Sequence, residues 1–307
     1  MQPGRGSIQK IAPDSFAAVI HAYIYSPKFS SYAPSTQKLW GAELRFAEHP
    51  DRLGGVPIKE MRPSIVQAFL DGLVDRPAKQ EVAYRALRQL EKWAIVRDLL
   101  PRVITIGCEI EGSDGGHLPW TDAQVLLGQQ VTPTALARVI TLAANTGQRG
   151  SDLVKMRWTD IETFEGHPGV NVIQQKTKAR VWVPFPRELI AVMSGWERRP
   201  GFILERPSGG PWGTREALTW AWWVERQRHP ELTELVLHGL RGTACVRLLR
   251  AGNNTRQISD RIGMSEKMVK RYTRFSEQQQ NAVAALRNEE KNIAGTVVQF
   301  EPRKSGG

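Results

Sequence analysis

Apolar positions recur with helical spacing through the first hundred residues. In PSTQKLWGAELRFAEH (34–49), Leu39, Leu44 and Phe46 stand among polar residues, and Ser35 is the candidate N-cap. PSIVQAFLDGL (63–73) and PAKQEVAYRALRQLEKWAIVRDLL (77–100) continue the pattern. Pro63 and Pro77 suit a first helical turn, where a missing N–H costs nothing. No run before residue 100 alternates like a strand. EGSDGGHLPW (111–120) then breaks the periodicity with Gly, Ser, Asp and Pro, which marks a linker. It predicts two domains, residues 1–113 and 114–307.

Helical pattern restarts at Thr121 and Asp122. In TPTALARVITLAANTG (132–147), Leu136, Val139, Ile140 and Ala143 fall at i, i+3, i+4 and i+7, so this helix buries one face. The period then changes. GVNVIQQ (169–175) and RVWVPF (180–185) are β-branched runs separated by KTKA, which predicts a hairpin. GTREALTWAWWVERQRHP (213–230) and LVLHGLRGTACVRLLRAG (235–252) return to helix, the second closed by Gly252. After residue 276 come one more helix, then GTVVQF, then a polar EPRKSGG end. The expected fold is mainly α in two domains, a helical one and a mixed α/β one with a small antiparallel sheet.

Composition narrows the function. At 307 residues with 41% hydrophobic content, the chain has ample material for packed cores. Its net charge of +11 points to a polyanionic partner, above all nucleic acid, although a basic face can also serve solubility alone. Residues 1–116 carry 15 Lys+Arg against 13 Asp+Glu, whereas 117–307 carry 27 against 18, so the excess lies in the second domain. Cys108 and Cys245 have no CxxC spacing and no neighbouring His pair, which argues against a zinc site or a disulfide framework. No leader-like apolar segment and no membrane-spanning run occurs, so a cytoplasmic protein is expected.

Several residues could carry chemistry, each ambiguous alone. His238 and Arg241, three apart in LHGLRGTACVRLL, share a face near a helix N-terminus and could bind phosphate, or be a capping His beside a surface Arg. Arg149 in NTGQRGSDLVKMRW sits in a tight turn between helices, or simply pairs with Asp152. Lys176, Lys178 and Arg180 occupy alternate positions of the hairpin, so in extended chain they would point to one side and present a cationic edge. A solvated edge strand protected by Lys is the plain alternative. In RIGMSEKMVKRYTR (261–274), Tyr272 is the only one of five tyrosines after the linker. A phenol with pKa about 10 is a poor nucleophile unless cations and a base assist it. Lys267, Lys270 and Arg271 are compatible with that role, or with a helix-turn-helix meeting DNA.

The order of these motifs resembles the tyrosine recombinases, the phage integrase family. TGQRGSDLVKMRW is similar to the family's first arginine motif, QQKTKARVWVP to its catalytic hairpin, HGLRGTAC to its second motif and MVKRYTR to its nucleophile segment. The helical first domain leading through GGHLPWT resembles the family's core-binding domain. The resemblance implies a site-specific recombinase that cuts and rejoins duplex DNA through a 3′-phosphotyrosine, without metal or nucleotide cofactor. Arg149 and Arg241 would stabilise the transition-state oxygens, each by about 2.7–4 kcal/mol as single oxyanion donors do. Lys176 would protonate the leaving 5′ oxygen, and His238 would move the proton of Tyr272. Asp152 would orient Arg149. The choice between Lys176 and Lys178 stays open, with Lys176 preferred for its place in QKT. Lys178, Arg180, Lys267, Lys270 and Arg271 would contact DNA.

Met264 departs from the family, which usually has His or Trp there. A thioether donates no hydrogen bond to phosphate, a loss of about 1.5–3 kcal/mol if the contact matters. The resemblance further implies two domains clamping the duplex, a monomer that assembles as a tetramer on two DNA sites, and a tail (277–307) docking on a neighbouring protomer. Nothing before residue 10 resembles a separate arm-binding domain, which suggests a simple recombinase and leaves room for an accessory DNA-bending or directionality protein. The rival reading is a non-catalytic regulator using 254–274 as a helix-turn-helix with Ser265 as cap; it leaves Arg149, Lys176 and His238-x-x-Arg241 without a joint purpose. A topoisomerase-like enzyme would need the same pocket.

Overall fold

Prolines and polar caps set where the helices begin. In the computed structural model, which describes residues 11–111 and 116–292, the chain divides into two compact units between residues 115 and 116. The first holds α1 (Phe16–Ile24), α2 (Pro27–Ser30), α3 (Pro34–Glu48), α4 (Pro63–Asp71) and α5 (Pro77–Ile95). Pro27, Pro34, Pro63 and Pro77 each open a helix, since their fixed φ suits the first turn. Ser35 therefore lies inside the first turn of α3, and Ala33 is the flanking residue. Leu44 is buried and Phe46 half-buried, whereas Leu39 is 52% exposed, so the inward stripe of α3 is narrower than its apolar letters suggest.

Phe16, Ile20, Tyr23, Leu70, Leu87 and Leu90 fill the core of this unit, each full burial contributing about 1.5–3 kcal/mol. The segment after α5 is held by a buried carboxylate: Glu91 accepts the backbone N–H groups of Ile104 and Thr105, both at 2.6 Å.

The second unit is built as α6 (Asp122–Val131), α7 (Thr134–Thr146), α8 (Gly150–Leu153), β1 (Ile161–Phe164), β2 (His167–Ile173), β3 (Arg180–Pro184), α9 (Arg187–Ser194), α10 (Arg215–Arg226), α11 (Gly239–Arg250), α12 (Thr255–Ile262) and α13 (Glu266–Asn292). Thr121 and Gln124 form a capping box at α6, and Asn254 with Gln257 forms another at α12. Leu136, Val139, Ile140 and Ala143 of α7 are buried together, as their spacing predicts. The sheet is antiparallel in the order β1-β2-β3. The fold is thus mainly helical with one small antiparallel sheet, as expected.

Three elements differ from the sequence reading. β1 went unrecognised because it is four residues long and Pro168 interrupts its partner; Glu165 (φ 49°) and Gly166 (φ 79°) join the two in a two-residue turn with both φ positive. The helix expected from residue 235 starts only at Gly239, and Ala251 closes it before Gly252. The nucleophile segment and the expected tail helix are one continuous α13, since no Gly or Pro interrupts residues 266–292. GTVVQF lies outside the described residues. No helix among the described residues is long and apolar enough to cross a membrane.

Candidate active site

Arg149 is placed where α7 stops and α8 starts. Gly147 ends α7 in the left-handed region (φ 64°), and Arg149 is the extended residue preceding α8. The two bends leave its side chain 19% exposed. Nη1 donates to Gln174 Oε1 at 2.9 Å and stands 3.9 Å from Asp152 Oδ2. Asp152 is buried, and its Oδ1 accepts the Gln175 N–H at 2.8 Å. The carboxylate therefore faces the arginine and also fastens the base of the hairpin to the α8 turn.

Arg241, in the first turn of α11, is 3% exposed. Nη1 donates to the Gly147 carbonyl, and Nη2 to the Gly263 carbonyl at 3.3 Å. One guanidinium thus bridges the end of α7 and the turn before α13. Burial first, then the Arg149 charge, brings it down to about 10, so it remains a cation at neutral pH. His238 immediately precedes α11, and its ring caps nothing. It keeps an open edge to solvent. Even so, desolvation by its surroundings, then His117 and the charges of Arg241, Arg149 and Arg215, lowers its imidazole to about 4. The ring meets His117 edge to face, with centroids 5.5 Å apart. His238 is neutral at ordinary pH and free to accept a proton. An NMR titration of the free protein should place its midpoint near 4, moving upward when a phosphate anion binds beside it. A midpoint at the ordinary 6.5 would contradict this environment.

Tyr272 lies in the second turn of α13 with its ring half-buried. Gly242 of α11 makes room for it: a Cβ there would stand 2.7 Å from Tyr272 Cδ1 and 2.9 Å from Pro119 Cγ. Burial raises the phenol above its usual value, while the Arg241, Arg271 and Arg149 charges oppose the rise. The hydroxyl therefore rests protonated and needs a base to ionise. Arg149 acts electrostatically on Arg241, His238 and Tyr272 alike. The four side chains come from three segments, and Arg149 and Arg241 act on both His238 and Tyr272.

Lys176 and Lys178 belong to the hairpin tip. Residues 174–179 form a turn, closed by Gln174 N–H on the Ala179 carbonyl at 2.9 Å, with Lys178 in the left-handed region (φ 60°). The period of two therefore does not run through the tip, and of Lys176, Lys178 and Arg180 only Arg180 is in a strand. All three are exposed. Thr177 Oγ1 donates to Gln174 Oε1 at 3.0 Å, which tethers the chain next to Lys176. Lys267, Lys270 and Arg271 line the exposed side of α13, with Val269 and Thr273 buried opposite. Among the described residues no three His, Cys, Asp or Glu side chains are grouped as metal ligands.

A model of the phage integrase family matches residues 124–279, just over half of the chain. The chain belongs to the phage integrase family. No curated protein matches it by sequence. Among solved structures it is similar to a lambda integrase tetramer bound to a Holliday junction, at 17% identity and TM-score 0.68, over 83% of this chain and 76% of that one. The Tn1549 transposon integrase in complex with transposon right-end DNA is 15% identical at TM-score 0.68, over 87% and 99% of the two chains. A lambda integrase dimer bound to a COC′ core site is 18% identical at TM-score 0.66, over 87% and 82%. At such identities the likeness is one of fold.

Met264, expected from the resemblance at the family's His or Trp position, is a packed residue. Its side chain is 8% exposed in an apolar cluster with Ala244, Ile258, Ile262 and Val269, its sulfur 3.8 Å from Cys245 Sγ. Met264→His should therefore lower the melting temperature without speeding cleavage, since an unpartnered imidazole in that cluster costs about 1–3 kcal/mol. Faster cleavage by this variant would contradict the packing role. The buried amides Gln148 and Gln174, and His117 and Arg215 near His238, were missed in the sequence; no spacing marks them.

Proposed function

We propose that this chain is a site-specific DNA recombinase that cuts and rejoins duplex DNA through a 3′-phosphotyrosine. The observation that carries the reading is that Arg149 and Arg241 act electrostatically on both His238 and Tyr272, although Arg149 and Tyr272 stand 123 residues apart. In the proposed step Tyr272 Oη attacks phosphorus and the bond to the 5′ oxygen breaks. The phenolic proton passes to neutral His238, and Lys176 donates a proton to the departing 5′ oxygen. Arg149 and Arg241 meet the charge that gathers on the non-bridging oxygens, with Asp152 orienting Arg149. Attack by a 5′ hydroxyl on the phosphotyrosine reverses the step, so the bond energy is conserved between cutting and joining.

Double-stranded DNA and further copies of the chain are the proposed partners. The exposed Lys178, Arg180, Lys267, Lys270 and Arg271 are assigned to the DNA backbone, and the helical first unit to core-site binding. Four protomers on two sites is the proposed assembly, with lambda integrase, described as a tetramer on a Holliday junction, as its precedent.

A library of duplexes of random sequence, each nicked close to the scissile position, tests the reading without knowledge of the target. The wild-type protein should form a covalent adduct whose nucleotide is carried by the Tyr272 peptide. Binding without any adduct would favour the regulator instead. One observation favours that second reading: α12, the left-handed Gly263 and α13 do form a helix-turn-helix. It leaves Arg149, Lys176 and His238-x-x-Arg241 without a joint purpose. Relaxation of supercoiled DNA with no exchange of partners would identify the topoisomerase-like variant of the same chemistry.

A further inference from the structure

The turn before the Tyr272 helix and the hairpin tip are joined to Arg149 through one buried amide. Gln174 has no exposed surface. Its Oε1 accepts from Arg149 Nη1 at 2.9 Å and from Thr177 Oγ1 at 3.0 Å. Its Nε2 donates to the Ile262 carbonyl at 3.0 Å and to Gln148 Oε1 at 3.1 Å. Both oxygen partners are donors and both nitrogen partners are acceptors, so the amide has a single consistent orientation. Gln148 supports the same carbonyl, donating to Ile262 O at 2.9 Å.

We propose that Gln174 is a positioning residue that holds the Arg149 guanidinium in register with the hairpin and with the turn that launches the Tyr272 helix; this rests on the recombinase reading above. Among the described residues Gln174 is the only hydrogen-bonded partner of the Arg149 side chain, because Asp152 Oδ2 at 3.9 Å lies beyond hydrogen-bond reach. Gln174 is two residues from Lys176, and Ile262 directly precedes Gly263, the αL residue between α12 and α13. Three segments that carry proposed chemistry therefore meet on one side chain. The residue type is specific. A carboxylate would accept from Arg149 but has no hydrogens for the Ile262 carbonyl. An apolar side chain would strip Arg149 Nη1 of its hydrogen bond and leave the Ile262 carbonyl to Gln148 alone. The glycine is required as well: Gly263 has φ 68°, and a Cβ there would stand 2.6 Å from Gln174 Nε2.

The test compares two substrates built on a duplex that traps Tyr272, one with a natural scissile phosphate and one with a neutral methylphosphonate. The methylphosphonate carries one negative charge fewer, so its transition state asks less of Arg149. Gln174→Met should bind duplex within about threefold of wild type and form adduct about 100-fold more slowly on the phosphodiester. On the methylphosphonate the slowing should shrink to about tenfold or less. Gln148→Met removes a buried amide from the same network that makes no hydrogen bond to the Arg149 side chain, so its slowing should be equal on both substrates. If Gln174→Met does not fold, Gln174→Asn withdraws the amide from Arg149 in a polar form and should give the same substrate-dependent pattern. Equal slowing of the Gln174 variant on both substrates, or none, overturns the proposal and leaves only a packing role. A wild-type protein that forms no adduct at all overturns the recombinase reading itself, which is a separate result.

Discussion

Tyr272→Phe is expected to remove all covalent attachment to DNA while leaving duplex affinity within about twofold of wild type. The substitution deletes one oxygen and keeps the ring that packs over Gly242. Its melting temperature should therefore stay within about 2 °C of wild type. The remaining tyrosines, Tyr23, Tyr25, Tyr32 and Tyr84, all precede the linker, so none is placed in the second unit to substitute for it. Denaturing gels after incubation with nicked duplex read the adduct, and gel shifts read the binding. Residual adduct in the variant would assign the nucleophile to another residue.

Arg241→Lys carries the next largest effect, although charge is formally kept. Adduct formation should fall by about 10²–10³-fold at saturating DNA, the range for loss of one preorganised oxyanion donor. The guanidinium uses two nitrogens to hold two carbonyls, those of Gly147 and Gly263. A lysine ammonium is a point charge that can serve only one of them well, and the abandoned buried carbonyl costs about 1–3 kcal/mol of stability. The same burial that brings Arg241 down to about 10 would press a lysine, which starts lower, toward neutrality. Single-turnover cleavage with a parallel thermal melt separates the two losses. A variant keeping more than about a tenth of the wild-type rate would show that the fork geometry is not needed.

Much of the architecture was legible along the chain. The α7 stripe, the prolines that open α4 and α5, and the β2–β3 hairpin all rest on local spacing and turn chemistry, which the tertiary fold left intact. The errors arose where local signals competed. Pro34 displaced Ser35 as the start of α3 because a preset φ suits the first turn there. β1 was too short to show alternation, and its register came from the turn at Glu165-Gly166 and pairing to β2. Lys176 and Lys178 obey a strand's period only on paper, since the tip between paired strands must reverse direction.

The order of Arg149, Lys176, His238-x-x-Arg241 and Tyr272 was readable in one dimension, because residue types and their succession are properties of the chain. RIGMSEKMVKRYTR by itself read equally as a helix-turn-helix or as the carrier of a nucleophilic Tyr272, and only the cations upstream favoured the second. Contacts across 94 or 114 residues are not readable in that way. Burial of Arg241 against the Gly147 carbonyl and the reach of Gln148 to the Ile262 carbonyl depend on which helices pack together. Packing also made Met264 a core residue beside Cys245, left His238 uncharged and raised the phenol of Tyr272. Each of these follows from desolvation and neighbouring charge, and both exist only once distant segments have been brought together.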